Sequence, residues 1–270
     1  MDQTEALREM IQKAKRIVFL GGAGVSTESG IPDFRSENGV FQAMQEFGYP
    51  PETLLSHSFF MRHTDVFYRY YRKYLLYPTA TPNAAHIGLS KLEWGTGYEK
   101  RKDGNEKPAG KLTAVITQNI DNLHQMAGSR KVLELHGSVY RNHCMKCRKS
   151  YTLEQLIQKI DESGDGIPRC SCGEIIKPDV VLYEEGLDSD ILSESVSHIA
   201  RADLMIIGGT SLMVYPAAGL CDYFNGQNIV VINLSKTARE TGADLVIHQP
   251  IGETMTAVLQ KMEEKDYSQS

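Results

Sequence analysis

Residues 17–24, IVFLGGAG, decide the architecture of this chain. Ile17 to Leu20 form a short apolar run, partly β-branched, that passes directly into Gly21, Gly22, Ala23 and Gly24. This is the order of a buried strand, a glycine-rich turn and the start of a helix. Runs of the same kind recur at Thr113–Thr117, Val132–Leu135, Leu204–Gly208, Ile229–Asn233 and Leu245–His248. Helical patterns lie between several of them, over Asn83–Glu93, Asp188–Arg201, Pro216–Phe224 and Gly252–Glu264. A further amphipathic helix precedes the first strand, opened by Asp2 and Glu5, with Leu7, Met10, Ile11 and Ala14 at helical spacing. Strands without polar alternation need cover on both faces. Separated by helices, they predict an α/β fold with a mostly parallel, Rossmann-like sheet.

Two stretches break the alternation and read as insertions between core elements. The first, within residues 37–78, is dense in Phe, Tyr and Arg around DVFYRYYRKYLLY and reads as a small helical module. The second, residues 138–177, holds four of the five cysteines. The expected division is therefore a nucleotide-binding domain from residues 1–36, 79–137 and 178–270, with the two modules forming a smaller domain. Trp94–Lys111, rich in Gly and Lys and without apolar period, reads as a solvated surface loop.

With 41% apolar and 23% charged residues over 270 positions, the composition is that of a globular protein and excludes disorder and collagen-like repeats. No run approaches the ~18 apolar residues of a membrane-spanning helix, and MDQTEALREM lacks the layout of a signal peptide. A cytoplasmic protein without a membrane partner is expected. The net charge of -5 argues against nucleic acid as the main partner.

Five cysteines, an odd number, argue against a disulfide framework and for metal binding or a free thiol. Cys144 and Cys147 form a CxxC, and Cys170 and Cys172 a CxC about twenty residues on. Four thiolates in two short pairs suit tetrahedral Zn²⁺ and leave no position open for water or substrate, so the ion is expected to be structural. A redox CxxC is the competing reading, but it leaves the second pair unexplained. Cys221 reads as a buried small hydrophobe.

A Gly-x-Gly turn after a buried strand can offer N–H groups and a helix N-terminus to a pyrophosphate. Here Gly22 and Gly24 supply the turn, but Thr27 stands where the dehydrogenase fingerprint has its third glycine, and no Gly-Lys-Ser/Thr follows to make a P-loop. A second polar turn, Gly208-Gly209-Thr210-Ser211, follows a later strand and can supply donors to the same phosphates. Asn233, ending the next strand, suits either a ribose contact or a turn.

Together with these features, GAGVSTESGIPDFRS (22–36), TQNIDNLH (117–124), LHG (135–137) and the cysteine cluster resemble the sirtuin family of NAD-dependent protein-lysine deacylases. The resemblance spans nearly the whole chain. It implies a Rossmann-like domain with a smaller zinc and helical domain. The implied reaction moves an acyl group from lysine to the ribose of NAD, giving nicotinamide and O-acyl-ADP-ribose, with acetylated-lysine proteins or peptides as partners. It further implies that His136 is the general base, that Asn119 orders ribose or water at the reacting carbon, and that Gln118 contacts ribose. Ile120 and Asp121 would form the nicotinamide pocket. Ala23, Thr27, Phe34 and Arg35 would fold over NAD, with Asp33 fixing that loop, and Leu234 and Ile251 would join Gly208, Thr210, Ser211 and Asn233 as later nucleotide contacts.

The same resemblance places an added peptide strand between Val180–Glu185 (Val180, Val181 and Tyr183 as contacts) and Leu212–Tyr215 (Leu212 and Val214). Relatives commonly read Phe-Gly-Glu where this chain has Tyr183-Glu184-Glu185, so Glu184 either favours basic peptides or faces solvent without effect. Relatives that remove acidic acyl groups carry Tyr-x-x-Arg; here Tyr68 is present but Tyr71 takes the arginine's place, which implies uncharged acyl groups. ADP-ribosyl transfer to protein, and a non-catalytic NAD-sensing zinc-ribbon module, are the alternatives.

Overall fold

The structure, a computed structural model, describes residues 2–33, 36–95, 98–100, 106–108, 110–237 and 239–268. The chain opens with α1 (Gln3–Lys13), whose first turn is capped by the Asp2 carboxylate accepting from the Thr4 N–H, and continues into β1 (Ile17–Gly21). The expected helix after the glycine turn is absent. Two short 3₁₀ turns, Ala23–Val25 and Thr27–Ser29, take its place and end at Gly30, which holds φ +81°. Four helices follow: α2 (Glu37–Phe47), α3 (Pro51–Leu54), α4 (His57–Arg62) and α5 (Thr64–Tyr74). The chain then enters α6 (Ala84–Trp94).

The stretch expected to be a loop contains an antiparallel pair, β2 (Tyr98–Lys100) and β3 (Glu106–Pro108). Three-residue strands without an apolar face leave no periodic trace, and the rest of that stretch outside Trp94, Gly95, Gly110 and Lys111 lies outside the described residues. Next come β4 (Leu112–Thr117), α7 (Leu123–Met126) and β5 (Val132–Glu134). The cysteine-bearing segment is β6 (Gly137–Cys144), β7 (Ser150–Tyr151), α8 (Leu153–Glu162) and β8 (Ile176–Val180). The chain closes with α9 (Ser189–Ala200), β9 (Leu204–Gly208), a 3₁₀ turn over Ala217–Tyr223, β10 (Asn228–Ile232), β11 (Leu245–Ile247) and α10 (Ile251–Ser268).

Six strands form one parallel sheet in the order β11-β10-β9-β1-β4-β5. Successive strands therefore run outward from β1 in one direction and, after the crossover to β9, in the other, which is the doubly wound Rossmann-type order. β1 and β9 are buried at every position, as their unbroken apolar runs require. One face of the sheet is covered by α1, α6 and α10, with Leu7, Leu89 and Met255 in its core; the other is covered by α9 and the Ala217–Tyr223 turn, where Cys221 packs at 5% exposure as a small apolar group.

The two insertions share a third core. Leu54, Phe60, Phe67 and Tyr71 from the helices pack with Val139, Leu156 and Ile176 from the cysteine-bearing segment. The sheet β7-β6-β8 supplies its floor.

Where α6 meets α7, His86 and His124 are 0% and 1% exposed, with ring centroids 4.7 Å apart. Burial pushes the His86 pKa down to about 4, with Asp121 opposing the shift, and burial followed by the His86 charge holds His124 well below its usual value. Both native-state values are lowered, so below the ordinary histidine pKa of ~6.5 the unfolded chain binds more protons than the folded one. The stability lost by acidification is thus expected to set in as pH falls through about 6.5, before carboxylates titrate. Urea midpoints at pH 7.5 and 5.0 check this: the wild type should lose stability over that interval and His124→Phe should lose less. Equal wild-type midpoints would contradict it.

Candidate active site

β1 and β9 lie side by side and their crossovers leave in opposite directions, so a crevice opens at their carboxyl ends. The residues there are the two glycine turns. They are locked together: the Gly22 N–H donates to the Gly208 carbonyl (3.3 Å) and the Gly24 N–H to the Gly209 carbonyl (2.8 Å). A side chain at 24 would lie 2.7 Å from the Gly209 Cα, so Gly24 is required by the approach of the second turn. Gln118, just past β4, ties in the third strand by donating from Nε2 to the Thr210 hydroxyl (3.0 Å). The Thr27 hydroxyl donates to the Gly24 carbonyl (3.0 Å), closing the first turn on itself.

Beyond the turns lies a cleft of about 220 Å³ between the sheet and the shared core of the insertions. Ala23, Gln118, Asn119, Ile120, Asp121, His136, Val180, Val181, Tyr183 and Val214 all line it, so ten of the expected site residues meet in one place. Ser26, which motif reading passed over, joins them. Its hydroxyl donates to the Asp121 carboxylate (2.6 Å) and accepts from the Asn119 amide (2.9 Å), and the Asp121 carboxylate also accepts from the Leu123 N–H (3.0 Å). Ser26 is 1% exposed, and the hydrogen bonds around it fix the faces that Asn119 and Asp121 present. The only sequence signal for it was membership of the quoted GAGVS stretch.

His136 sits at the end of β5, where the chain turns into β6. Its Nδ1 lies 2.9 Å from the Gln118 carbonyl. A carbonyl can only accept, so Nδ1 carries a proton here, and in the neutral form of such a ring Nε2 is the basic nitrogen, the arrangement a general base needs. Its own carbonyl accepts from the Val181 N–H (3.0 Å), which ties His136 to the Val180–Glu185 segment.

Several of the other expected site residues do not line this cleft. Tyr68 is 1% exposed in the core of the insertions and its hydroxyl donates to the Ile176 carbonyl, so it does not line the cleft; Tyr71 is fully buried and stacks on Phe67. Helical spacing showed that these aromatics share a face but not which way α5 would turn it. From this region Tyr74, Leu75 and Tyr77 reach the cleft instead. Leu212, at φ +53°, turns its side chain into the core beside α9, and Ile251 is 3% exposed, packed over Gly208; neither side chain lines the cleft. The Asn233 amide donates to the Ser235 carbonyl (2.7 Å), a turn role, with Leu234 exposed beside it. Ser211 is exposed on the second turn, and the Asp33 carbonyl accepts from the Ser36 N–H (3.0 Å). Phe34 and Arg35 lie outside the described residues.

Glu184 has a definite place. Its oxygens accept from the N–H (2.8 Å) and the hydroxyl (2.9 Å) of Ser58, in the first turn of α4, and these bonds lower its pKa. Its φ of +77° lies in the left-handed region, which favours glycine, the residue the resemblance led one to expect there. Glu185 accepts from the Leu182 N–H (2.9 Å) and pairs with His57 (2.8 Å) and Lys177 (3.1 Å). Both carboxylates thus bind the helical insertion to the cleft edge.

The four cysteine sulfurs lie within 4.8 Å of one another, with Cys144 to Cys172 at 3.4 Å and Cys147 to Cys170 at 3.5 Å. A Zn²⁺ with Zn–S bonds of ~2.3 Å holds its sulfurs ~3.8 Å apart, so the cluster fits the ion closely. The Tyr151 hydroxyl donates to the Cys170 sulfur (3.0 Å), a hydrogen bond that would orient this ligand and stabilise its thiolate form.

A doubly wound sheet with paired glycine turns at its switch point, an adjoining cleft lined by a histidine and a four-thiol cluster suit a nucleotide-dependent enzyme with a structural metal site. Residues 22–216 match the Sir2 family, and the chain belongs to it. It is 51% identical over 260 residues to the NAD-dependent protein deacetylase of Clostridium acetobutylicum, covering 96% of this chain and 99% of that protein. Among solved structures it is similar to a Sir2 with a p53 peptide and NAD+ (TM-score 0.80, 37% identity, 97% of this chain and 99% of that one). It matches a Sir2 bound to an acetylated peptide equally well (TM-score 0.80, 36% identity, 97% and 99% coverage).

Proposed function

We propose that this chain removes acetyl and other uncharged acyl groups from protein lysines, with NAD as co-substrate and one water consumed, giving nicotinamide, free lysine and O-acyl-ADP-ribose. The observation that carries this reading is the convergence in one cleft of His136, whose Nδ1 faces the Gln118 carbonyl, with Asn119 and Asp121, which Ser26 holds in place. When bound, NAD supplies the ribose carbon whose bond to nicotinamide is exchanged for one to the acyl oxygen. The turns at Ala23–Thr27 and Gly208–Ser211 hold its phosphates, while Gln118 and Asn119 orient the ribose and Ile120 and Asp121 take the nicotinamide. His136 accepts a ribose hydroxyl proton at Nε2.

The peptide lies between Val180–Glu185 and the Leu212–Tyr215 segment. On the first edge the N–H groups of Val181, Leu182 and Tyr183 are engaged by the His136 carbonyl, Glu185 and the Leu55 carbonyl. The carbonyls of Val180, Leu182 and Tyr183 are engaged as well, by Lys177, Glu185 and His57, so on this stretch an added strand is received at the Val181 carbonyl. The division into a nucleotide-binding domain (1–36, 79–137, 178–270) and a small domain (37–78 with 138–177) is supported by the separate core that the two insertions share. Among the described residues no helix is long and apolar enough to cross a membrane, and we place the protein in the cytoplasm.

Incubation with NAD+ and an acetylated peptide, read by mass spectrometry, tests the reaction. O-acetyl-ADP-ribose is expected. A mass gain on protein would point to ADP-ribosyl transfer, and unchanged NAD+ to a binding module. The acyl preference rests on charge: among the described residues lining the cleft there is no Lys or Arg, whereas Asp121, Glu184 and Glu185 are present. Acetylated peptide is expected to turn over at least tenfold faster than a succinylated one, since an unpaired carboxylate would be desolvated beside acids. Faster desuccinylation would overturn this.

A further inference from the structure

The first nucleotide turn is held in place by Asn83, which no quoted motif includes, and by its own Glu28, to which the resemblance assigned no role. Asn83 precedes α6, and its side-chain oxygen accepts from the Ala85 N–H (2.9 Å) as the helix cap. The same amide donates from Nδ2 to the Val25 carbonyl (2.8 Å) and to the Ser29 hydroxyl (3.0 Å), so it grips the turn at both ends across more than fifty residues of chain. Its orientation is unambiguous, because a flipped amide would set oxygen against a carbonyl and N–H against N–H. Between the two gripped residues lie Ser26, which holds Asn119 and Asp121, and Thr27. On the far side of the turn the Glu28 carboxylate accepts from the Gly252 N–H (2.8 Å) in the first turn of α10. A side chain at 252 would come within 2.7 Å of that carboxylate, so Gly252 leaves the space Glu28 fills.

We propose that Asn83 and Glu28 are positioning residues for NAD, which pin the Val25–Ser29 turn to α6 and α10 so that Ser26, Asn119 and Asp121 are aligned before the nucleotide arrives. Fixing a loop in its bound conformation reduces the ordering cost of binding, and loosening it weakens affinity without removing a contact to the ligand. This rests on the reading that the turn receives NAD.

Asn83 separates its two duties by substitution. Serine and aspartate both cap helices well, but serine is too short to reach Val25 and aspartate would face its carbonyl with a carboxylate. If the residue positions the turn, KM for NAD+ rises about fivefold in Asn83→Ser, the worth of roughly one net hydrogen bond, and further in Asn83→Asp. KM for the acetylated peptide and the melting temperature should stay near wild type in both. If Asn83 were only a cap, both variants would bind NAD+ normally and Asn83→Ala alone would lose stability, which would overturn the proposal.

Glu28 is checked from both partners. Glu28→Ala and Gly252→Ala should each raise KM for NAD+, the latter without destabilising α10 because alanine favours helix, and Glu28→Gln, which keeps an acceptor, should restore it. Failure of the glutamine rescue would remove Glu28 from the proposal. Ala23→Leu, which fills the cleft wall beside the turn, serves as the control. If it leaves NAD+ binding intact, the site reading falls and this inference with it; if it weakens binding while the Asn83 and Glu28 variants do not, the inference alone fails.

Discussion

Replacing His136 by alanine is expected to reduce kcat by ~10³-fold or more, the upper part of the range for a general base, while the protein folds and binds NAD+. The imidazole is only partly buried, and the Gln118 carbonyl it leaves behind lies at the cleft, where water can replace the lost donor. The thermal unfolding midpoint should therefore move by no more than a few degrees. Product formation at saturating NAD+ and peptide, with NAD+ affinity measured by calorimetry, separates loss of chemistry from loss of binding. Near-normal turnover would remove His136 from the base role, and collapse of both affinity and midpoint would make it a structural residue.

Loss of the metal cluster is expected to act on the fold before it acts on the chemistry. Cys144 is fully buried, and its segment shares one core with α5, so freeing the knuckle exposes Tyr151 and Ile176 and loosens Phe67 and Tyr68 beyond them. Structural zinc contributes folding free energy directly, on the order of 10 kcal/mol in small domains. Cys144→Ala should lose stoichiometric zinc and lower the unfolding midpoint by ten degrees or more. Hydrogen exchange should rise across residues 43–76 and 139–182 while the parallel sheet stays protected. Activity would fall as a consequence, since Tyr74, Leu75 and Tyr183 line the cleft from that side. A variant that kept both its zinc and its midpoint would overturn the structural assignment.

The parallel strands were legible because burial on both faces leaves an unbroken apolar run. Leu204–Gly208 agrees with the observed strand at both ends and the others to within a residue or so. The hairpin of β2 and β3 was not, because three residues per strand are too few to impose a pattern. The helix expected after Gly24 gave way to 3₁₀ turns whose side chains are engaged across the crevice. Ser26 bonds to residues more than ninety positions away, and no local propensity reports that. Tyr68 shows the opposite limit: its helix was legible, its neighbours were not.

Sequence alone determined what is local or compositional. Backbone sterics and side-chain burial act over a few residues, so strands, glycine turns, caps and a set of four thiols spaced for zinc can be read directly, and family motifs named His136, Asn119 and Asp121. Only the tertiary structure placed β9 beside β1 and so opened the crevice between two glycine turns. It also joined two insertions into one core and brought Asn83 to the Val25 carbonyl. These are contacts between apolar faces and polar groups far apart in the chain. Their partners are chosen by how whole elements pack, and a periodic pattern states that a face must be buried without stating against what.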